Sequence, residues 1–495
     1  MNLRRTTGAL LFFILYAASS SAQSFRNDEG YSSINSTKLI NYIRILTSIK
    51  FDGRLPGSEG FNRAARFAAG KFREYRLEAK GDSGYFQFFK LEYNKIDTPA
   101  VLKMISGKRE KVFIHGKDFV LRGFTGSADT TLPVAFCGYG LSRPDLGYDD
   151  YKGIKVKDKI VIVFKQNPGW KINDKDWGNG YPREKSKTAY DHGAKGILFV
   201  STPNDEKPQG LIGSVLHGDG EQLEDFPQLQ ITEETADFFF NRVNITLKEI
   251  QTSIDEKKNP WSFLTRTNAR IKVKAEYNRN VKTMNVVGEI IGTDPEYKNE
   301  YLVIGAHLDH VGSQAGLLFP GANDNASGSA GVLALSEALT LSKIKPKRSI
   351  IFVLFAGEEQ GLNGSEYFVK KLGADTSKVV AMFNLDCIGY GDSIQIGNGK
   401  SSPELWKIAN QTDKENFNLM VKDTWSGGGA DATPFYNKGI PCAYFVSHYS
   451  YDHLHQTSDT VETLNPGLLE NIVKLVYLSA RKVADGEYKR ESVIR

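Results

Sequence analysis

Tyr301-Leu302-Val303-Ile304-Gly305-Ala306 runs straight into His307-Leu308-Asp309-His310, and this transition from apolar to polar decides the fold. An unbroken apolar run of this length reads as a strand covered on both faces. The pattern recurs. Ile350-Ile351-Phe352-Val353-Leu354-Phe355-Ala356 leads into Gly357-Glu358-Glu359, and Val380-Ala381-Met382-Phe383-Asn384-Leu385 leads into Asp386. Ala443-Tyr444-Phe445-Val446 leads to a loop with His448, His453 and His455. Strands are expected over residues 285–291, 301–306, 349–356, 379–385 and 443–446, with helices between them over 328–341, 365–372 and 403–410. Such alternation predicts an α/β sheet flanked by helices, whose site lies beyond the carboxyl ends of its strands.

The residues at those ends have one chemistry in common. His307, Asp309, Asp324, Glu358, Glu359, Asp386 and His455 offer imidazole nitrogen and carboxylate oxygen, the donors zinc takes. Singly, an acid or histidine at a strand end is ordinary, and Glu358-Glu359 alone would serve as the acidic start of a helix. Jointly, the set is what two zinc ions need, with water activated toward a pKa of about 7. Two metals close together require a shared carboxylate. Asp324, in Gly321-Ala322-Asn323-Asp324-Asn325-Ala326-Ser327-Gly328 at the opening of a helix, has the rigid setting for it, and the glycines allow close backbone approach. His310, His448 and His453 read as outer or surface groups, and His115, His192 and His217 receive no role. Cys137, Cys387 and Cys442 are too few and too far apart for a disulfide framework or a zinc knuckle, although one bridge is allowed. Strand alternation would turn Cys387 away from Asp386, as a core thiol.

With 495 residues, 24% of them charged, the chain is long enough for two domains of ordinary globular composition. Its 63 basic and 58 acidic residues are interspersed, which argues against a nucleic-acid interface. Arg4 and Arg5, the apolar run 9–18 and the small residues before Gln23 form an export signal with cleavage after Ala22, too short to span a bilayer. No other segment is long and apolar enough to span one. Helical spacing recurs over 36–48 and 61–75, around the turn-rich Asp52-Gly53-Arg54-Leu55-Pro56-Gly57-Ser58. From about 125 to 258 the texture changes to short strands, including Val134 to Gly140, Lys159 to Phe164 and Gly196 to Val200, with no second cluster of site residues.

The motifs His307-x-Asp309, Gly321 to Gly328, Gly357-Glu358-Glu359, Asn384-Leu385-Asp386 and His455-Gln456-Thr457-Ser458-Asp459-Thr460 resemble peptidase family 28. That family comprises co-catalytic zinc aminopeptidases and relatives such as glutamate carboxypeptidase II and bacterial leucine aminopeptidases. Asp52 to Ser58 is similar to its N-terminal signature. Gly138-Tyr139-Gly140, Tyr148-Asp149-Asp150-Tyr151, Val156 to Val161 and Gly193-Ala194-Lys195-Gly196 resemble a protease-associated domain, which this family inserts into the peptidase domain. The resemblance implies an α/β zinc-peptidase (phosphorylase/hydrolase-like) mixed sheet with a β-rich insert. The expected division is a signal at 1–22, peptidase domain at 23–124, protease-associated insert at 125–265 and catalytic part at 266–495.

By the same resemblance, His307 and Asp386 hold one zinc, Glu359 and His455 the other, and Asp324 bridges them. Glu358 is implied as general base, passing a proton from water to the leaving amine, and Asp309 as the carboxylate that orients His307. The chain departs from the family pattern at Ala430-Asp431-Ala432-Thr433, where Ser-Asp-His often precedes Pro-Phe, so the substrate-facing wall differs. Trp425, Tyr449 and Tyr451 are candidates for that wall, Tyr451 also for an oxyanion donor. An exported aminopeptidase acting on peptides, periplasmic or secreted, is the expectation. A carboxypeptidase would need basic residues near the metals, and Lys370, Lys371 and Lys422 read as surface groups. A one-zinc glutaminyl cyclase-like enzyme stands as an alternative. A binding protein resembling transferrin receptors is disfavoured because every ligand position is intact.

Overall fold

Asn35 and Ser58 accept hydrogen bonds from Lys38 N at 2.9 Å and Phe61 N at 3.1 Å, opening helices α1 (Ser36–Leu46) and α2 (Glu59–Glu74). The computed structural model describes residues 28–495 except 219, 242 and 450, so the expected export signal lies outside the described residues. Between the two helices Asp52, Gly53 and Arg54 all take left-handed backbone angles. A Cβ on Gly53 would stand 2.4 Å from the Gly312 carbonyl oxygen, so only glycine fits there. A long strand, β1 (Phe86–Ser106), follows.

The chain then builds a second unit from β2 (Phe119–Leu121), β3 (Ala128–Cys137), β4 (Ile160–Phe164), helix α3 (Pro182–Asp191), β5 (Gly196–Val200), β6 (Gln228–Ile231) and helices α4 (Glu233–Phe240) and α5 (Leu247–Lys257). Its strand order is β3-β4-β5-β6-β2, parallel except for the last pair. Phe136, Ile162 and Leu198 pack on one face, Val161, Val163 and Phe199 on the other, giving the unit its own core. The chain leaves it through β7 (Ser262–Ile290), which pairs antiparallel with β3 at one end and with β1 along most of its length. Residue 265 therefore falls inside a continuous strand, and β2, ahead of residue 125, pairs within the inserted unit.

The remaining half holds β8 (Tyr301–His307), helix α6 (Gly328–Leu341), β9 (Ser349–Phe355), α7 (Asn363–Leu372), β10 (Val379–Leu385), β11 (Ser393–Gly397), α8 (Pro403–Asn416), α9 (Ala432–Asn437), β12 (Cys442–His448) and α10 (Pro466–Ala484). The order β11-β12-β10-β8-β9-β7 is mixed, with β12, β10, β8 and β9 parallel. Alternation sorts side chains between two cores. Leu302, Ile304, Ile350, Phe352 and Leu354 face α1, α2, α6 and α10, whereas Val303, Ile351, Val353 and Phe355 face α7 and α9. The unbroken apolar runs thus mean what they predicted, a sheet covered on both faces. Because four parallel strands share one direction, their carboxyl ends open on one edge.

Candidate metal-binding site

That edge gathers the site residues. His307 ends β8, Glu358 and Glu359 follow β9, Asp386 follows β10, His455 comes from the loop after β12, and Asp324 lies in the turn ahead of α6. His307 Nε2 is 3.3 Å from Asp386 Oδ1 and 3.4 Å from Asp324 Oδ1. His455 Nε2 is 3.1 Å from Asp324 Oδ2 and 2.9 Å from Glu359 Oε2. Two donors each about 2.0–2.1 Å from a tetrahedral zinc are about 3.3 Å apart, so both sets have the spacing of ligands around a common ion. The two oxygens of Asp324 face different sets. His307, Asp324 and Asp386 form one candidate cation site, and His310, Asp324, Glu359 and His455 the other.

Charge points the same way. Burial opposes a charged His307, but Glu358, Asp386 and Asp324 outweigh it and hold its pKa well above the ordinary histidine value. Burial likewise opposes ionised Glu359, yet His455 and His310 keep its carboxyl well below the usual range. Asp386 is also drawn down, burial being overcome mainly by His307. Glu358 goes the other way. Burial raises its carboxyl strongly, His307 offsets part of this, and Asp431 and Glu359 raise it further. Several buried acids are thus balanced by imidazoles and by the single buried guanidinium of Arg54, an excess of negative charge that divalent cations would neutralise.

The adjacent glutamates part company. Glu359 spends both oxygens, one on His455 and the other on His310 Nδ1 at 2.9 Å. Glu358 turns into a cavity of about 520 Å³ with Oε2 4.0 Å from His307 Nε2. Both backbone N–H groups donate to the Asp309 carboxylate, at 3.3 and 3.4 Å. That carboxylate stands 3.8 Å from His307 Nδ1, beyond hydrogen-bond length, and the Asp309 backbone carbonyl is nearer, at 3.3 Å. Asp309 therefore orients the two glutamates more directly than the histidine, and burial pushes its own carboxyl up to about 7.

Other residues hold the ligands in place. Tyr444 OH donates to Asp386 Oδ2 at 2.8 Å, leaving Oδ1 to face His307. Asp459 accepts from Asn323 N at 2.8 Å and Asp324 N at 3.2 Å, fixing the turn that presents Asp324. Tyr451 donates to that same Asp459 carboxylate, so its hydroxyl is engaged away from the cavity. Trp425 Nε1 donates to the Gly428 carbonyl at 3.0 Å, and Tyr449 is largely exposed. None of these three aromatics lines the cavity; Tyr444 and Tyr181 do. His310 is fully buried against Glu359, whereas His448 is exposed and His453 pairs with Ser458 Oγ at 2.9 Å. Lys370, Lys371 and Lys422 are exposed surface groups.

Cys387 corrects an expectation. It lines the metal-facing cavity instead of pointing away, because β10 ends at Leu385 and Cys387 turns to φ 51°, so strand alternation no longer applies. All three cysteines are free.

Arg54, from the Asp52 to Ser58 turn, is fully buried behind the site and bonds only backbone carbonyls: Leu308 at 2.9 Å, Leu46 at 2.9 Å, Pro320 at 2.8 Å and Gly321 at 2.8 Å. Burial draws its pKa down to about 10, against Asp459, Asp324, Asp309 and Glu359, whose charges favour it. Arg54→Met should leave these carbonyls unsatisfied and lower the unfolding free energy by about 3–5 kcal/mol, read from a shifted urea midpoint. An unchanged midpoint would show that water replaces the guanidinium.

Residues 285–480 match the family model described as Peptidase family M28. A "Probable leucine aminopeptidase" of Arthroderma benhamiae is 30% identical over 199 residues, 38% of this chain and 56% of that protein. The chain therefore spans little more than half the length of that relative. Aminopeptidase YwaD of Bacillus subtilis is 24% identical over 395 residues, 76% of this chain and 73% of that protein. The solved structure of a zinc aminopeptidase from Bacillus subtilis, 19% identical, superposes with a TM-score of 0.64 over 93% of this chain and 98% of that one. Its likeness places the whole architecture, inserted unit included, within a known fold.

Proposed function

We infer that this chain, which belongs to peptidase family M28, is a zinc-dependent exopeptidase that releases N-terminal amino acids from peptides. The observation behind this is Asp324, whose Oδ1 lies 3.4 Å from one histidine and Oδ2 3.1 Å from another, inside a cavity large enough for a short peptide. His307 and Asp386 would hold one ion, Glu359 and His455 the other, and Asp324 both. Zinc bound there supplies Lewis acidity toward the scissile carbonyl and lowers the pKa of water.

The protein groups do the rest. Glu358, turned into the cavity and not spent on a histidine, takes the proton of the attacking water and delivers it to the leaving nitrogen as the C–N bond breaks. A raised pKa suits that task, since the group must accept a proton and then release it. His310 and Tyr444 fix Glu359 and Asp386 so that one oxygen of each faces inward. Glu358 is the lining carboxylate that no ion would take, and its charge, with the aminopeptidases among the matched relatives, supports a substrate ammonium and hence aminopeptidase over carboxypeptidase. The unit from β2 to α5 would be a protease-associated domain, a reading supported by its motifs and by its place as one wall of the cavity. Arg4, Arg5 and the apolar run after them support export. Among the described residues no helix is long and apolar enough to cross a membrane.

The test measures zinc content and hydrolysis on one sample of purified protein. Two zincs per chain, with release of the first residue from free peptides and none from N-blocked ones, is the expected result. Cleavage of blocked peptides would make it a carboxypeptidase or endopeptidase. One zinc with cyclisation of N-terminal glutamine would replace hydrolysis by a cyclase reaction.

A further inference from the structure

The cavity has one wall of opposite sign to its floor. Asp324, Glu358, Glu359 and Asp386 line the metal side, and Arg122, Phe124, Tyr181 and His217 of the inserted unit line the other. Arg122 directly follows β2 and is only 4% exposed. Its Nη1 donates to the Ile212 carbonyl at 3.1 Å and to Gln230 Oε1 at 3.0 Å, while its Nε is buried with no hydrogen-bond partner. Among the described residues no carboxylate pairs with it.

The contrast with Arg54 is informative. Both guanidiniums are buried, but four acids favour the charge of Arg54, whereas among the described residues no acid offsets the burial that draws Arg122 down to about 10, and its guanidinium has only the Phe124 ring, at 5.6 Å, beside its two hydrogen bonds. A buried cation with an unused donor is costly to keep unless something anionic completes it. Position suggests what that is. Ile212, which accepts from Arg122, is followed by Gly213, whose N–H donates to the His455 carbonyl at 2.7 Å. Arg122 is thereby tied to the loop that presents His455, facing the candidate metal ligands across a space of about 520 Å³.

We propose that Arg122 is a specificity-determining residue that pairs with a substrate carboxylate borne by the residue after the scissile bond, so that dipeptides with a free C-terminus are the preferred substrates. This rests on the peptidase reading above. The ammonium of such a dipeptide meets the acids near the metals and its carboxylate meets the guanidinium, so both charges of the zwitterion are matched within one cavity. A longer peptide keeps only the first of these contacts, unless its second residue is acidic.

The experiment compares kcat/KM for Leu-Gly and Leu-glycinamide with the zinc-loaded enzyme and its Arg122→Met and Arg122→Lys variants, each checked for folding by its thermal melt. A charge-assisted pair predicts that the wild type favours the acid by about 10- to 100-fold, mainly through KM. In Arg122→Met the ratio should collapse toward about one, with partial recovery in Arg122→Lys, which keeps the charge but not the fork. A merely structural role would slow both substrates alike and leave the ratio unmoved. Equal rates on both substrates in the wild type overturn the proposal even if neither variant folds. So does a preference that follows Glu over Gln at the first position. Hydrolysis of the amide alone overturns it and leaves the peptidase reading standing, whereas hydrolysis of neither overturns both.

Discussion

Glu358→Gln is expected to lower kcat by about 100- to 10,000-fold while KM and bound zinc stay near their wild-type values. An amide of the same shape fills the same space but cannot take a proton from water. The retained metal is the discriminating part, because Glu359 next to it should behave differently. Glu359 meets His455 at 2.9 Å and His310 at 2.9 Å, whereas the closest histidine nitrogen to Glu358 is 4.0 Å away, on His307. Steady-state kinetics on an aminoacyl anilide, with zinc measured on the same preparation, separates the two roles. Full activity in Glu358→Gln would remove it as the base, and loss of zinc would make it a ligand.

Much of this is legible in the chain itself, for a physical reason. A strand buried on both faces must be apolar throughout, so its carboxyl end is marked by the first polar residue. His307 and Glu358 are marked in this way, Asp386 comes two residues after the buried Asn384 of its strand, and parallel pairing brings all three to one edge. Asp324 is legible from its glycine-bounded turn, and Asp459 only as part of a motif whose bonding cannot be read from sequence. What stays hidden depends on contacts between distant segments. His310 reads from sequence as either an outer group of the site or a surface group, and what decides between them is the Gly321 turn, which closes over its ring. Tyr444 lies inside an apolar strand run, and only the register of β12 against β10 sets its hydroxyl on Asp386. Arg122 is farther still, almost two hundred residues before His307, and nothing local marks it. Its position requires the inserted unit to fold against the catalytic edge. Cys387 stays hidden because alternation holds only while the strand lasts, and β10 ends at Leu385, two residues before it.

Asp324→Asn tests the centre itself. The asparagine keeps one oxygen but replaces the other by an NH2 group, which donates and cannot bind a cation. Since Oδ1 faces His307 and Oδ2 faces His455 and, at 3.6 Å, His310, one of the two sets must lose a ligand whichever way the amide turns. Zinc affinity should therefore fall by more than the roughly 10- to 100-fold that loss of an outer hydrogen-bond partner costs, with zinc stoichiometry dropping below two and activity falling with it. Unfolding is not expected to be the cause. In metal-free protein the substitution removes one carboxylate from a buried group of like charges, so the apo variant should melt no lower than apo wild type, while the holo variant loses much of the stabilisation that bound zinc confers. Calorimetric melts with and without zinc, beside metal titrations, distinguish the two. Two zincs bound with unchanged affinity would show that Asp324 bridges nothing, and the pairing of the two histidine sets through one carboxylate would fall with it.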